Sequence, residues 1–64
     1  MEILRIKEVV NVVGLSRVTV WRMERAGKFP ARIQLGERAV GWRRADVEKW
    51  IESRPTVGGE VMAK

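Results

Sequence analysis

The spacing of apolar residues changes twice along this chain. After a short extended segment at residues 3–6, which is a candidate strand, apolar residues recur every three or four positions up to about residue 26, as in amphipathic helices. Between residues 32 and 43, polar and apolar residues alternate, as in strands. Helical spacing then returns up to about residue 53. The pattern predicts a small α+β domain in which a hairpin separates two helical parts.

The first helical part is predicted to form two helices joined by a tight turn. The first helix covers residues 7–13 and the second covers residues 17–26. Gly14 suits a left-handed C-terminal cap, and Ser16 is a favoured N-cap residue. The valines of the first helix also fit a strand at residues 9–13, which is the local alternative. With the turn in place, the segment is a helix-turn-helix.

The alternating part is predicted to be a two-stranded hairpin. Its strands cover residues 32–35 and 39–43, and the turn covers residues 36–38. A third helix follows at residues 44–53 and ends before Pro55. A hairpin placed after a helix-turn-helix is a wing, so the fold class is a winged helix-turn-helix. The predicted buried residues are Val9, Val10, Val13, Val20, Met23, Ile33, Leu35, Val40, Trp42, Val47, Trp50 and Ile51, with Leu15 packed in the corner of the turn.

Length and composition limit the function classes. The chain has 64 residues, enough for one domain at residues 1–55 with a thin core and a flexible tail at residues 56–64. It contains no Cys and no His, which excludes disulfides, zinc fingers and thiol or imidazole catalysis. Charges interrupt every apolar run, so neither a signal peptide nor a membrane span is expected. We expect a cytoplasmic, nucleoid-associated protein that is not an enzyme and binds no cofactor, metal or small molecule.

The charge balance favours a nucleic acid as the partner. The formal net charge is +5, and nine of the 13 basic residues are arginine. Arginine forms two-pronged hydrogen bonds to phosphate and to the guanine edge, which lysine does not form. The alternative is a soluble surface that happens to be rich in arginine.

The second helix is predicted to enter the major groove of double-stranded DNA. Arg22 is the candidate guanine contact, unless a nearby carboxylate pairs with it, and Thr19 is a candidate contact to a phosphate or a thymine methyl group. Trp21 either packs on the sugar-phosphate backbone or is partly buried. The candidate DNA-binding residues are Ser16, Arg17, Val18, Thr19, Trp21, Arg22, Arg25, Lys28, Arg32, Arg38 and Arg43.

The basic residues of the wing are further candidate contacts, and the glutamates are expected to be solvent-exposed. Arg38 at the wing tip can follow the DNA backbone or enter the adjacent minor groove. The alternative is that its charge only keeps the hairpin edge from associating. Gln34 and Arg32 are expected on the outward face of the wing. Five carboxylates are expected on solvated faces: Glu2, Glu8, Glu24, Glu48 and Glu52.

Five motifs together resemble the AlpA family of small prophage regulators. They are LRIKEVV at residues 4–10, GLSRVTVWR at 14–22, GKFP at 27–30, LGERAVGW at 35–42 and DVEKWI at 46–51. The resemblance covers about residues 3–54. It implies a winged helix-turn-helix related to the MerR and excisionase groups, and a sequence-specific DNA-binding regulator that often acts on prophage integrase or excision genes.

Other functions stay open on the sequence. One is an excisionase-like architectural role, in which several copies bind adjacent sites and bend the DNA. Another is a protein-interaction module that docks an acidic partner through the same helices. Self-association on DNA is also open, since the sequence shows no dedicated dimerisation helix and permits a monomer, a dimer or a cooperative array.

Overall fold

The computed structural model of the chain describes residues 2–57. Its elements are β1 (Ile3–Leu4), α1 (Ile6–Val13), α2 (Arg17–Arg25), β2 (Ile33–Gln34), β3 (Val40–Arg43) and α3 (Arg44–Glu52). The predicted fold class and element order are confirmed, and each helix agrees with its predicted range to within one residue. Most of the predicted tail, residues 58–64, lies outside the described residues. Within residues 2–57, no helix is long and apolar enough to cross a membrane.

The turn between α1 and α2 is built from the two residues that predicted it. Gly14 has a φ of 75°, in the left-handed region, and its N–H donates to the Val10 carbonyl at 2.9 Å. The Ser16 hydroxyl oxygen accepts from the Thr19 N–H at 3.1 Å and so caps α2. The strand alternative for residues 9–13 is wrong, because the cap at Gly14 closes a regular helix there.

A second glycine ends α2. Gly27 has a φ of 77°, and its N–H donates to the Glu24 carbonyl at 3.0 Å. The Lys28 N–H reaches back to the Met23 carbonyl at 2.8 Å. These two bonds form a Schellman motif, which satisfies the last carbonyls of the helix and turns the chain towards the wing.

The sheet has three antiparallel strands in the order β1-β3-β2. The predicted hairpin is present, and the extended segment before α1 adds a third strand to it, with Leu4 opposite Trp42. On the other side of β3, Ile33 lies opposite Gly41 and Gln34 lies opposite Val40. Because β1 directly precedes α1, its pairing with β3 connects the wing to the start of α1.

This register corrects the predicted buried face of the wing. Directly opposed residues project to the same side of an antiparallel sheet. Gln34 therefore shares the side of Val40 and Trp42, whereas Ile33 and Leu35 project to the opposite side with Gly41. The four predicted buried residues of the wing, Ile33, Leu35, Val40 and Trp42, were expected on one buried face of the hairpin. That prediction is wrong for Ile33 and Leu35, and Leu35 is 43% exposed.

Gly41 allows these strands to come together. A Cβ atom at this position would lie 2.7 Å from Ile3 Cγ2 and 3.1 Å from Leu35 Cδ1. It would also lie 3.0 Å from the Leu4 carbonyl oxygen, which belongs to the backbone. Because the two neighbouring apolar side chains meet over the glycine, this face of the sheet has no room for a side chain at that position.

The core lies between the other face of the sheet and the three helices. Its buried residues are Leu4, Val9, Val20, Phe29, Trp42 and Val47, and Ile6, Val13, Leu15, Trp21, Met23 and Trp50 pack against them. Besides Ile33 and Leu35, three predicted core residues lie outside this cluster: Val10, Val40 and Ile51. Val10 and Val40 are half-buried, and Ile51 is 37% exposed. On the two helices, the inward face is filled by Val9 and Val47.

The four aromatic residues form one continuous chain of contacts through the core. Trp21 and Trp42 have ring centroids 5.5 Å apart, and Phe29 meets Trp42 edge-on at 6.2 Å. Phe29 also meets Trp50 edge-on at 4.8 Å. These aromatic contacts join α2, the wing and α3. Edge-to-face pairs stabilise the fold beyond the free energy gained by burying the rings.

Residues 26–32, which we call the connector, link α2 to the wing without regular secondary structure and are nonetheless fixed at three points. The indole N–H of Trp50 donates to the Lys28 carbonyl at 2.8 Å, and that of Trp42 donates to the Pro30 carbonyl at 2.8 Å. The Arg32 N–H donates to a Glu24 carboxylate oxygen at 2.9 Å. Every second residue from 28 to 32 is therefore bound to a different element of the fold.

Candidate nucleic-acid interface

The outer face of α2 is defined by Val18, Arg22 and Arg25. These positions follow the i, i+4, i+7 spacing of a helical stripe. They lie opposite Val20, which is fully buried, and all three are exposed. The result is a convex helix surface that carries two guanidinium groups and one isopropyl group.

The start of α2 presents the other predicted groove residues. Arg17 is exposed, while Thr19 is half-buried at the side of the helix. The Ser16 hydroxyl donates to Thr19 Oγ1 at 2.9 Å and accepts from the Thr19 N–H. Ser16 is therefore a structural cap, and its predicted contact to a phosphate has to compete with this local bond.

Five cations among the predicted DNA-binding residues have no carboxylate within 4.0 Å among residues 2–57: Arg17, Arg22, Arg25, Lys28 and Arg38. All five are exposed. The alternative in which a carboxylate neutralises Arg22 does not apply within this part of the chain. An exposed cation without a partner is free to contact a phosphate or a base edge.

Trp21 is partly buried, which was one of the two predictions for it. One face of its indole packs towards Trp42 in the core. The Arg32 guanidinium carbon lies 4.7 Å from the centroid of the Trp21 ring, which is a cation–π contact. Trp21 therefore joins α2 to the connector, and only part of its surface is accessible at the edge of the helix.

Glu24 corrects the prediction of a solvated carboxylate. Its side chain is only 13% exposed and lies 2.6 Å from Arg32 Nη1. The same carboxylate accepts the Arg32 backbone N–H. The predicted DNA contact Arg32 thus has its charge balanced inside the protein, and the pair fixes the start of the wing to α2. The two residues are eight positions apart with Gly27 and Pro30 between them, so no periodic pattern shows this pairing.

Replacing Glu24 by alanine is expected to lower the free energy of unfolding by about 1–3 kcal/mol, because the Arg32 N–H and guanidinium lose their acceptor. Thermal or urea denaturation followed by circular dichroism measures the change. Glu52→Ala removes the same charge from an exposed position with no hydrogen bond in the described residues and should change the stability little. Equal stability losses in both variants would contradict the role of Glu24.

The junction of the wing and α3 is also ion-paired. Arg43 lies 3.8 Å from Asp46, with both side chains well exposed. Arg44 pairs with Glu2 and lies 3.6 Å from Glu48. The hydrogen bond and charge of Glu2 raise the pKa of the Arg44 guanidinium above its ordinary value. Glu2 and Glu48, predicted to be only solvated, therefore offset the positive charge that Arg44 places at the start of α3.

The wing tip presents Arg38 to solvent. Gln34 Nε2 donates to the Gly36 carbonyl at 2.6 Å and to the Glu37 carbonyl at 3.2 Å. These bonds hold the turn from within the hairpin, so the Gln34 amide is already engaged. Gln34 is exposed, but it projects to the side of Val40 and Trp42 and not to the outward face predicted for it. Arg38 is the only basic residue among residues 33–39.

The chain matches one family model and is similar to two known proteins. A family model described as "Prophage CP4-57 regulatory protein (AlpA)" matches residues 2–55. A protein of Enterobacteria phage P4, described as uncharacterized protein ORF88, is 39% identical over 51 residues, which cover 80% of this chain and 58% of that protein. The Escherichia coli (strain K12) DNA-binding transcriptional activator AlpA is 30% identical over 60 residues, which cover 84% of this chain and 86% of that protein. The chain thus spans little more than half the length of the phage relative.

Proposed function

This chain belongs to the AlpA family of prophage regulatory proteins, and we propose that it is a sequence-specific DNA-binding regulator of transcription. The observation that carries the proposal is the outer face of α2. It is exposed and convex, and its two arginines have no carboxylate partner within the described residues. Support also comes from the DNA-binding activator of E. coli that the chain resembles.

In the proposed complex, α2 enters the major groove with its N-terminal residues deepest. Arg22 binds a guanine edge through both guanidinium prongs. Arg17, with the hydroxyl groups of Ser16 and Thr19, contacts phosphates at the start of the helix. Arg25 contacts the backbone at the far end. These contacts separate base recognition by Arg22 from positioning by its neighbours.

The wing and the connector hold the flanking DNA in this proposal. Lys28 and Arg38 contact phosphates, and Arg38 at the tip is also placed to enter the adjacent minor groove. Arg43 adds a contact when its weak pair with Asp46 opens. Arg32 and Trp21 lie at the edge of the interface, where they act mainly by fixing the wing to α2.

We further propose that the regulated genes control prophage integration or excision, and that the protein acts on the nucleoid in the cytoplasm. The family description supports the prophage setting. Selection of bound sequences from a random duplex pool tests sequence specificity directly. A defined motif supports the proposal, and its symmetry reports whether the protein binds as a pair on a palindrome or as an array on direct repeats. Recovery of no motif would contradict it.

Replacing Arg22 by alanine is expected to weaken binding to the selected duplex by about 5- to 150-fold, which corresponds to the roughly 1–3 kcal/mol of a two-pronged arginine–guanine pair. Binding to an unrelated duplex should weaken much less. Electrophoretic mobility shift assays on both duplexes measure the two losses.

Two variants control for the charge that Arg22→Ala removes. Arg22→Lys retains the charge without the planar fork, and should lose most of the specificity. Lys49→Ala removes one exposed positive charge from α3, outside the proposed interface, and should leave specificity unchanged. Equal losses on both duplexes for Arg22→Ala would assign Arg22 to a phosphate instead of a base.

A further inference from the structure

Packing within the protein does not account for a valine at position 18. Its side chain is 60% exposed, and it does not belong to the core or to the residues packed against it. A β-branched residue at an exposed helix position also lowers helix propensity relative to alanine. An isolated exposed apolar residue is ordinary, so the argument depends on what lies beside it.

Arg22 lies one turn further along the same face of α2. The two residues are spaced i, i+4, so their side chains are neighbours on the helix surface. The Arg22 guanidinium has no carboxylate partner within the described part of the chain. An isopropyl group therefore stands next to a free two-pronged donor on the surface proposed to face the DNA.

The major-groove edge of DNA offers a matching pair of chemical groups. Guanine presents two acceptors to a guanidinium, and thymine presents its 5-methyl group, the main apolar feature of that groove. Resting on the proposed function, we propose that Val18 contacts the 5-methyl group of a thymine adjacent to the guanine that Arg22 binds. Val18 is then a specificity-determining residue, and the selected site contains a thymine–guanine step.

Val18 is better placed for this contact than Thr19, the other candidate for a thymine methyl group. Successive residues of a helix are about 100° apart, so Thr19 lies to the side of the outer face. Thr19 is half-buried, and its hydroxyl oxygen accepts a hydrogen bond from Ser16. Val18 lies on the outer face itself, with its methyl groups free.

The experiment replaces each thymine of the selected duplex, one at a time, by deoxyuridine, which removes only the 5-methyl group. Dissociation constants are measured by fluorescence anisotropy with the full chain and with Val18→Ala. At one thymine next to the essential guanine, deoxyuridine should weaken binding of the unaltered protein about fourfold, the factor for losing one buried methyl-sized group. Binding of Val18→Ala should be weaker from the outset and insensitive to that replacement.

Val12→Ala is the matched control, because Val12 is a similarly exposed valine, 42% exposed, on α1. It should keep full sensitivity to deoxyuridine. Alanine favours the helix, so Val18→Ala should fold at least as stably as the unaltered protein.

Each outcome decides a different question. Sensitivity that disappears only in Val18→Ala supports the inference. Sensitivity that is equal in both proteins, or absent at every thymine of a specific site, overturns it and leaves the proposed function intact. Failure to select any duplex site overturns the proposed function, and the inference with it.

Discussion

Trp42→Ala is expected to lower the Tm of the domain by about 12–40 °C. Trp42 is fully buried, contacts two other aromatic rings and donates its indole N–H to the Pro30 carbonyl. Truncating such a residue costs about 3–5 kcal/mol, which is a large part of the roughly 3–10 kcal/mol that stabilises a domain of this length. Thermal denaturation followed by far-ultraviolet circular dichroism measures the change, and DNA binding should be lost above the lowered Tm.

Trp42→Phe is the milder change at this position. It retains one aromatic ring and removes the second ring together with the indole donor to Pro30. We expect it to fold, with a Tm lowered by about 4–8 °C for each kcal/mol lost. A folded Trp42→Ala protein with a Tm near that of the unaltered chain would contradict the central position of Trp42.

The affinity for duplex DNA is expected to fall about 150- to 500-fold between 50 and 200 mM salt, if four to five phosphates are neutralised. The proposed phosphate contacts are Arg17, Arg25, Lys28 and Arg38, with Arg43 as the fifth. The logarithm of the binding constant should then fall with the logarithm of salt concentration at a slope of about −3.6 to −4.5. Fluorescence anisotropy titrations across this range measure the slope.

Single variants show which residues contribute to the salt dependence. Arg25→Ala should make it shallower by about one, since one phosphate contact is lost. Lys49→Ala removes the same charge from α3, outside the proposed interface, and should leave the slope unchanged. A salt-independent affinity would exclude binding through the phosphate backbone.

The helix-turn-helix was predictable because its signals are local. Gly14 and Ser16 each act through their own backbone or a hydrogen bond within three residues. The helix ends therefore follow from short stretches of sequence. The buried positions of Val9, Val20 and Val47 follow from helical periodicity for the same reason.

The buried face of the wing was mispredicted because hydrophobic alternation and loop length disagree. A three-residue turn at residues 36–38 places Leu35 opposite Ala39, and the Leu35 N–H donates to the Ala39 carbonyl at 2.7 Å. Odd-numbered residues then face odd-numbered residues, which separates Leu35 from Trp42. Turn geometry fixes strand register, and here it outweighed the apparent pattern of a single buried face. The second apolar face is completed by β1. The sequence predicted a candidate strand there, but no local pattern showed that it pairs with β3.

The candidate interface was only partly predictable from residue type. Exposure and position on α2 follow from periodicity, so the outer face was accessible to sequence reasoning. Which surface charges are paired could not be predicted, because the pairing depends on contacts between elements that are distant in the sequence. Arg32 and Glu24 meet only after Gly27 and Pro30 have turned the chain, and Arg44 meets Glu2 across the sheet.

In the proposed complex, the connector sets the distance between the two parts of the protein that contact DNA. Lys28, Pro30 and Arg32 are each held by a different element, so the distance between the tip of the hairpin and α2 is already set in the free protein. The proposed interface therefore has a fixed span. Sites in which an inserted base pair rotates one contact away from the other, by about one-tenth of a helical turn, would not fit it, so the spacing within an operator carries information even where no side chain touches a base.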